Sequence, residues 1–157
     1  MKTGSKNPGF RETLQQGRLY LDASALVKLY IPEPESDELN QALRRRRDLI
    51  VSDLAVTEIA SAFARRRRQG LLHTHAAARL HRAILAHMES GVFRRVDMIP
   101  EVHREAERLL LSLESVPLRA ADSLHLALAI AAGAGAIVTF DQRLAEAARR
   151  IGLPTFF

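Results

Sequence analysis

A chain of 157 residues is the usual size of one domain and can bury about two-thirds of its unfolded surface, so it needs no covalent staples. The absence of cysteine excludes disulfides, thiol nucleophiles and cysteine-ligated zinc, and fits a reducing cytosol. A formal net charge of +5, carried mostly by arginine, favours a polyanionic partner, because basic side chains release counterions from phosphates.

Residues 1–17 are rich in Gly, Ser, Asn and Pro and read as a loose leader, with a short helical turn around Arg11–Gln16. Residues 18–157 read as one domain. The apolar run Leu19-Tyr20-Leu21 predicts a buried strand that ends at Asp22. Ala23 to Tyr30 predicts a helix stopped by Pro32 and Pro34. Ser36 to Arg47 predicts a second helix, with Leu39 and Leu43 on one face. Leu49-Ile50-Val51 is the second strand. Ser52 or Asp53 suits the cap of a helix from Leu54 to about Gln69, closed by Gly70.

Thr74 opens another helix that closes near Gly91. Phe93 to Ile99 is a strand weakened by Arg94 and Arg95, and Pro100 opens a helix to Ser112. Leu118 to Ala132 is almost wholly apolar and predicts a helix buried on most sides. Ala136 to Phe140 is the clearest strand and stops at Asp141; Leu144 to Ile151 is a helix, and Pro154 to Phe157 a last strand. The uncharged stretch from Ser123 to Phe140 is broken by Gly133 and Gly135, where a span of about 20 apolar residues would have to continue. The N-terminus lacks the apolar core of a signal peptide. No membrane segment is expected, and the expected setting is the cytoplasm.

Strands alternating with helices predict an α/β fold with a parallel sheet and helices on both faces. Sites in such sheets lie beyond the carboxyl ends of the strands, where Asp22 and Asp141 sit. Two further carboxylates occupy unusual places. Glu58 lies on a helix between Ala55 and Ala62, and Asp122 lies within the apolar helix. A charged carboxylate is seldom buried without a partner. The plainer alternative has Asp22, Asp122 and Asp141 serving their own helix N-termini and Glu58 paired with an arginine. Four coincidences are then required. Gathered together, the four would instead hold divalent cations, which prefer oxygen ligands and can activate water against a phosphodiester. His125, one turn from Asp122, reads as a packed histidine or one that orients a water or phosphate.

The runs Arg44–Arg47 and Arg65–Arg68 sit at predicted helix ends, where cations are favoured anyway. Arg65–Arg68 follow Glu58 on one helix and are the better candidates to hold RNA. Leu26, Leu29, Leu39 and Leu43 either line a groove for a partner helix or pack in the core.

Four stretches together resemble the motifs of PIN-domain nucleases. They are Leu21-Asp22-Ala23-Ser24, Val51-Ser52-Asp53-Leu54-Ala55-Val56-Thr57-Glu58, Arg119-Ala120-Ala121-Asp122-Ser123-Leu124-His125, and Val138-Thr139-Phe140-Asp141. The resemblance spans about Arg18 to Phe157, and size points within the family to VapC-type toxins of toxin–antitoxin pairs. It implies a three-layer fold with five parallel strands in the order 3-2-1-4-5, and Mg²⁺- or Mn²⁺-dependent cleavage of RNA. It also implies an antitoxin partner, a homodimer, and support of the acidic cluster by the hydroxyls of Ser24 and Thr139. The rival is a non-catalytic RNA-binding module that uses the arginines alone. A receiver-type phosphoacceptor would need a lysine late in the chain, and the lysines are Lys2, Lys6 and Lys28.

Overall fold

The computed structural model describes residues 17–157, so the expected turn at Arg11–Gln16 lies outside the described residues. Twelve elements follow in chain order. They are β1 (Leu19–Leu21), α1 (Ala23–Tyr30), α2 (Ser36–Leu43), β2 (Leu49–Ser52), α3 (Asp53–Arg68), α4 (Thr74–Glu89), β3 (Arg94–Val96), α5 (Pro100–Ser112), α6 (Ala120–Ala131), β4 (Ala136–Val138), α7 (Gln142–Arg150) and β5 (Thr155–Phe156). The strands form one sheet in the order β3-β2-β1-β4-β5, and every pairing is parallel.

The side-chain period of two in a strand divides the core between the sheet's faces. Leu19 pairs with Leu49 and Ala136, and Leu21 with Val51 and Val138. These residues join Leu26, Leu39, Ile59, Phe63 and Ile84 in one buried cluster beneath α1–α4. Tyr20, Ile50 and Ile137 point to the other face, where Val102, Leu109, Leu126 and Leu144 of α5–α7 cover them. Buried on both faces, the central strands must be apolar throughout. That is why three-residue runs such as Leu19–Leu21 suffice to define them.

Caps fix the helix starts. The Asp22 carboxylate accepts from Ala25 N–H at 2.9 Å, Ser52 Oγ from Ala55 N–H at 3.2 Å, and Asp141 from Arg143 and Leu144 N–H at 2.8 and 3.2 Å. Ser52, not Asp53, is thus the cap of α3. Gly133, at φ +63°, ends α6 in a left-handed conformation that a side chain would resist.

Three expectations need correction. Helix α2 stops at Leu43 instead of Arg47, because Arg46 turns back to Asp48 (2.8 Å) and to the carbonyl of Gly17. Strand β3 covers only Arg94–Val96 of the expected 93–99; it is the sheet edge and pairs with β2 alone. The leucines offered as a partner groove are core: Leu26 and Leu39 are fully buried, Leu43 nearly so, and Leu29 packs against them. Among the described residues no helix is long and apolar enough to cross a membrane.

Candidate active site

The sheet order reverses beside β1, which has β2 on one side and β4 on the other. Crossovers therefore leave in opposite directions and open a crevice at the strands' carboxyl ends. A cavity of about 370 Å³ lies there, lined by Asp22, Glu58, Asp122 and Asp141 together with Ser24, Arg65 and His125. All four carboxylates singled out in the sequence border this one space.

Each carboxylate is held differently. Asp22 is 4% exposed. Besides its cap bond, it accepts from Ser24 Oγ at 2.7 and 2.9 Å and from Thr139 Oγ at 2.7 Å. Burial pushes its pKa above the ordinary aspartate value, against the opposing pull of nearby His125 and of the donors Ala25, Ser24 and Thr139. Thr139, itself fully buried, accepts from Asp141 N–H at 3.0 Å, and Ser24 Oγ accepts from Phe140 N–H at 2.8 Å. The two hydroxyls thus stitch Asp22 to the chain that carries Asp141.

Asp122 accepts from Arg119 N–H at 3.0 Å, and Arg143 Nη1 stands 4.0 Å from the same oxygen. Glu58 pairs with a histidine, not an arginine: its Oε2 lies 2.6 Å from His125 Nε2. Among the described residues every buried side-chain N or O atom has a hydrogen-bond partner.

The cap alternative and the cavity turn out to be compatible. Asp22 and Asp141 each commit Oδ1 to a helix N-terminus while their side chains still line the cavity. Among the described residues, no three histidine, aspartate or glutamate side chains converge as a ready-made ion cage. The donor set nonetheless fits one class of ion. Four carboxylates with no sulfur suit a hard cation, and Mg²⁺ in particular keeps several waters and needs only one or two protein carboxylates. A cavity of this size has room for that hydrated arrangement.

The arginine run does not act as a unit. Arg65 lines the cavity, but Arg66 forms an ion pair with Glu33, and Arg67 and Arg68 border a separate depression beside His73. Arg44–Arg47 precede β2 and so lie toward the opposite end of the strands from the cavity, beside Ser90–Val92. Local spacing gave no sign of the pairing of His125 with Glu58 or of a contact between His125 Nδ1 and the Tyr20 hydroxyl at 2.7 Å. One signal was available: a phenol inside an otherwise apolar strand must find a polar partner.

The family model of the PIN domain matches residues 19–150. The chain is 34% identical to ribonuclease VapC46 of Mycobacterium tuberculosis over 137 residues, covering 86% of this chain and 93% of that protein. It is 31% identical to ribonuclease VapC3 of Pyrobaculum aerophilum over 129 residues, covering 82% and 93%. Among solved structures, M. tuberculosis VapC20, a toxin that cleaves the sarcin–ricin loop, superposes with a TM-score of 0.66 at 18% identity over 82% of this chain and 94% of that one. FitAB bound to a DNA fragment superposes with a TM-score of 0.67 at 19% identity over 88% and 93%. At such low identity these two structures speak for the fold alone. The family match across most of the chain and the two curated relatives go further: this chain belongs to the PIN-domain family, among its VapC-type members.

Proposed function

We infer that the chain is an endoribonuclease that hydrolyses RNA phosphodiester bonds with the help of Mg²⁺ or Mn²⁺, and that it is the toxin of a type II toxin–antitoxin pair. One observation carries the reading: Asp22, Glu58, Asp122 and Asp141 arrive from four separate parts of the chain and line one cavity at the switch point of the sheet. Family membership with VapC ribonucleases points the same way. Residues 18–157 form the proposed nuclease unit, and 1–17 the leader.

In this reading the four carboxylates hold the cation, directly or through water. When bound, such an ion makes water more acidic and neutralises charge on the scissile phosphate and the leaving oxygen. The chain's own residues set the stage. Ser24 and Thr139 keep the Asp22 carboxylate in one orientation by donating to it. Asp141 is fixed by its cap bonds and by its N–H on Thr139. Arg65 on the cavity wall offers the phosphate backbone a cation, and Arg143 beside Asp122 is a second one close at hand. The four carboxylates on the cavity wall would repel a phosphodiester, and a bound cation would offset that repulsion.

The reading also includes a cognate antitoxin, a homodimer and action in the cytoplasm where the RNA is. Incubation of the purified protein with mixed cellular RNA, in Mn²⁺ or in chelator, tests the activity. Discrete cuts that require Mn²⁺ and vanish in Asp22→Asn are expected. RNA that is bound but never cut, with any metal, would favour the binding module instead. Co-expression with the product of the neighbouring gene should give a complex with suppressed cleavage, and size-exclusion chromatography with light scattering should give twice the chain's 17.5 kDa for the free protein.

A further inference from the structure

Beneath Glu58 runs a chain of hydrogen bonds through three fully or nearly fully buried side chains. Ala55 N–H donates to Ser52 Oγ at 3.2 Å. Ser52 Oγ lies 2.7 Å from the Tyr20 hydroxyl, which lies 2.7 Å from His125 Nδ1, and His125 Nε2 lies 2.6 Å from Glu58 Oε2. Ser52 and Tyr20 are 0% exposed and His125 3%, so water has almost no access to exchange partners with them.

The two ends of the chain have a fixed direction. A carboxylate only accepts, so Nε2 of His125 must carry its proton toward Glu58. Nδ1 of the same ring and the Tyr20 hydroxyl share a hydrogen at 2.7 Å, which holds the ring from its other side. The Tyr20 and Ser52 hydroxyls share the next hydrogen at 2.7 Å, and Ser52 Oγ accepts from the first turn of α3. The chain of four bonds ends on one oxygen of Glu58.

We propose that His125 is a positioning residue that fixes Glu58 by one oxygen, Oε2, and leaves Oε1 as the single atom Glu58 offers to a cation in the cavity, with Tyr20 and Ser52 holding the His125 ring in place through Nδ1. Two observations and one general rule support it. Glu58 is half-buried on the cavity wall and, among the described residues, His125 is its one hydrogen-bonding side chain. The relay crosses β1, β2, α3 and α6, so Glu58 is referenced to the rigid sheet and not to its own helix alone. Partners of this kind behind a ligand orient it, and their loss lowers metal affinity or activity by about 10–100-fold. The proposal rests on the nuclease reading above and deepens it.

Two substitutions at His125 separate its two bonds. The amide of Gln reaches the position of Nε2 and can donate to Glu58, whereas the amide of Asn reaches only that of Nδ1 and keeps the link to Tyr20. Mn²⁺ affinity is measured directly by titration calorimetry and by electron paramagnetic resonance of free Mn²⁺, with melting temperature in chelator recorded for each variant. His125→Asn should weaken Mn²⁺ binding by about 10–100-fold. His125→Gln should recover to within a few-fold of wild type, and Tyr20→Phe should shift affinity in the same direction by a smaller factor. In a Glu58→Ala background, His125→Asn should cause no further loss, because its effect passes through Glu58. Wild-type Mn²⁺ affinity in both His125→Asn and Tyr20→Phe would overturn the relay while leaving the metal nuclease standing. So would an additive loss in the Glu58→Ala background, or equal loss in the Asn and Gln variants. A wild type that binds no Mn²⁺ would overturn the nuclease reading and the relay with it.

Discussion

Replacing Asp22 by Asn removes a charge from the most buried carboxylate of the cavity while preserving nearly all of its shape. The bonds it makes can be followed one at a time. The side-chain oxygen of Asn still accepts from Ala25 N–H, and Asn caps a helix as well as Asp does. Its amide must donate where Oδ2 accepted, to Thr139 Oγ or Ser24 Oγ. Each hydroxyl already accepts one backbone N–H, from Asp141 and Phe140 respectively, and keeps a second lone pair for the new donor. The one loss is the acceptor of the Thr139 hydroxyl hydrogen, which Oδ2 provides and an amide N–H cannot. Set against that loss is relief of the desolvated charge, since desolvation outweighs the hydrogen bonds in setting the ionisation of Asp22 and raises its pKa.

A raised pKa means that the folded state favours the protonated acid. Asp22 therefore contributes most favourably below its unfolded pKa, and that contribution is lost as pH rises through the folded value. At neutral pH, in chelator, Asp22→Asn should be more stable than wild type by about 0.5–2 kcal/mol, the usual gain from relieving a strained functional group. For a chain of this length that is a rise in Tm of about 1–8 °C. The advantage should shrink on acidification, as wild-type Asp22 becomes protonated. Mn²⁺ should reverse the ranking, since a cation present at about 100 times its Kd adds about 2.7 kcal/mol to a state that binds it, and the variant has lost a ligand. Calorimetric melts of both proteins, in chelator and in Mn²⁺ across acid to neutral pH, measure all of this. A variant less stable than wild type in chelator at neutral pH would refute the reasoning, as the lost Thr139 hydroxyl bond would then outweigh desolvation.

Three further outcomes follow from the geometry. Thr139→Val keeps the buried shape but strips Asp22 of a donor and Asp141 N–H of its acceptor; urea melts should show a loss of about 1–3 kcal/mol, with reduced cleavage. Arg65→Gln should lower the slope of log affinity against log salt for single-stranded RNA by about 0.7, whereas Arg67→Gln and Arg68→Gln, which border a different depression, should leave that slope and cleavage unchanged in filter-binding titrations. Asp141→Asn should retain the α7 cap, as shown by an unchanged circular dichroism spectrum, while cleavage falls by orders of magnitude.

The parts of the molecule that were legible in the sequence are those governed by neighbours along the chain. Three apolar residues ending at an aspartate mark β1, because a strand covered on both faces cannot afford polar residues and Asp22 starts the next helix. Pro100 and Ser112 bound α5 at the expected residues for the same local reason. Partners distant in sequence were not legible. Glu58 and His125 are 67 positions apart, and Arg66 and Glu33 are 33 apart, so no periodicity links them. Apolar helix positions are ambiguous in a different way. Leu26 and Leu39 satisfy the pattern of a docking face and that of a core face equally, and only the sheet's position decides for the core.

The carboxylates show why local and functional readings of a residue need not compete. A carboxylate has two oxygens and about four lone-pair directions, while a helix cap uses only one of those oxygens. Asp22 and Asp141 spend Oδ1 on the first turns of α1 and α7, and Glu58 spends Oε2 on His125. The bond that immobilises each side chain leaves its other oxygen directed by a rigid element, and that preorganises a site more firmly than free side chains could. The arrangement also sets what a substitution can reveal. Asn at either cap preserves the helix and removes the charge, so loss of cleavage without loss of fold isolates the chemistry. Ala removes both and cannot distinguish them. If Asp22→Ala and Asp22→Asn lose cleavage equally but only the alanine variant melts earlier in chelator, the cap and the cavity draw on separate atoms of the same side chain. Equal stability of the two variants would show that the cap bond at Ala25 contributes nothing to holding α1.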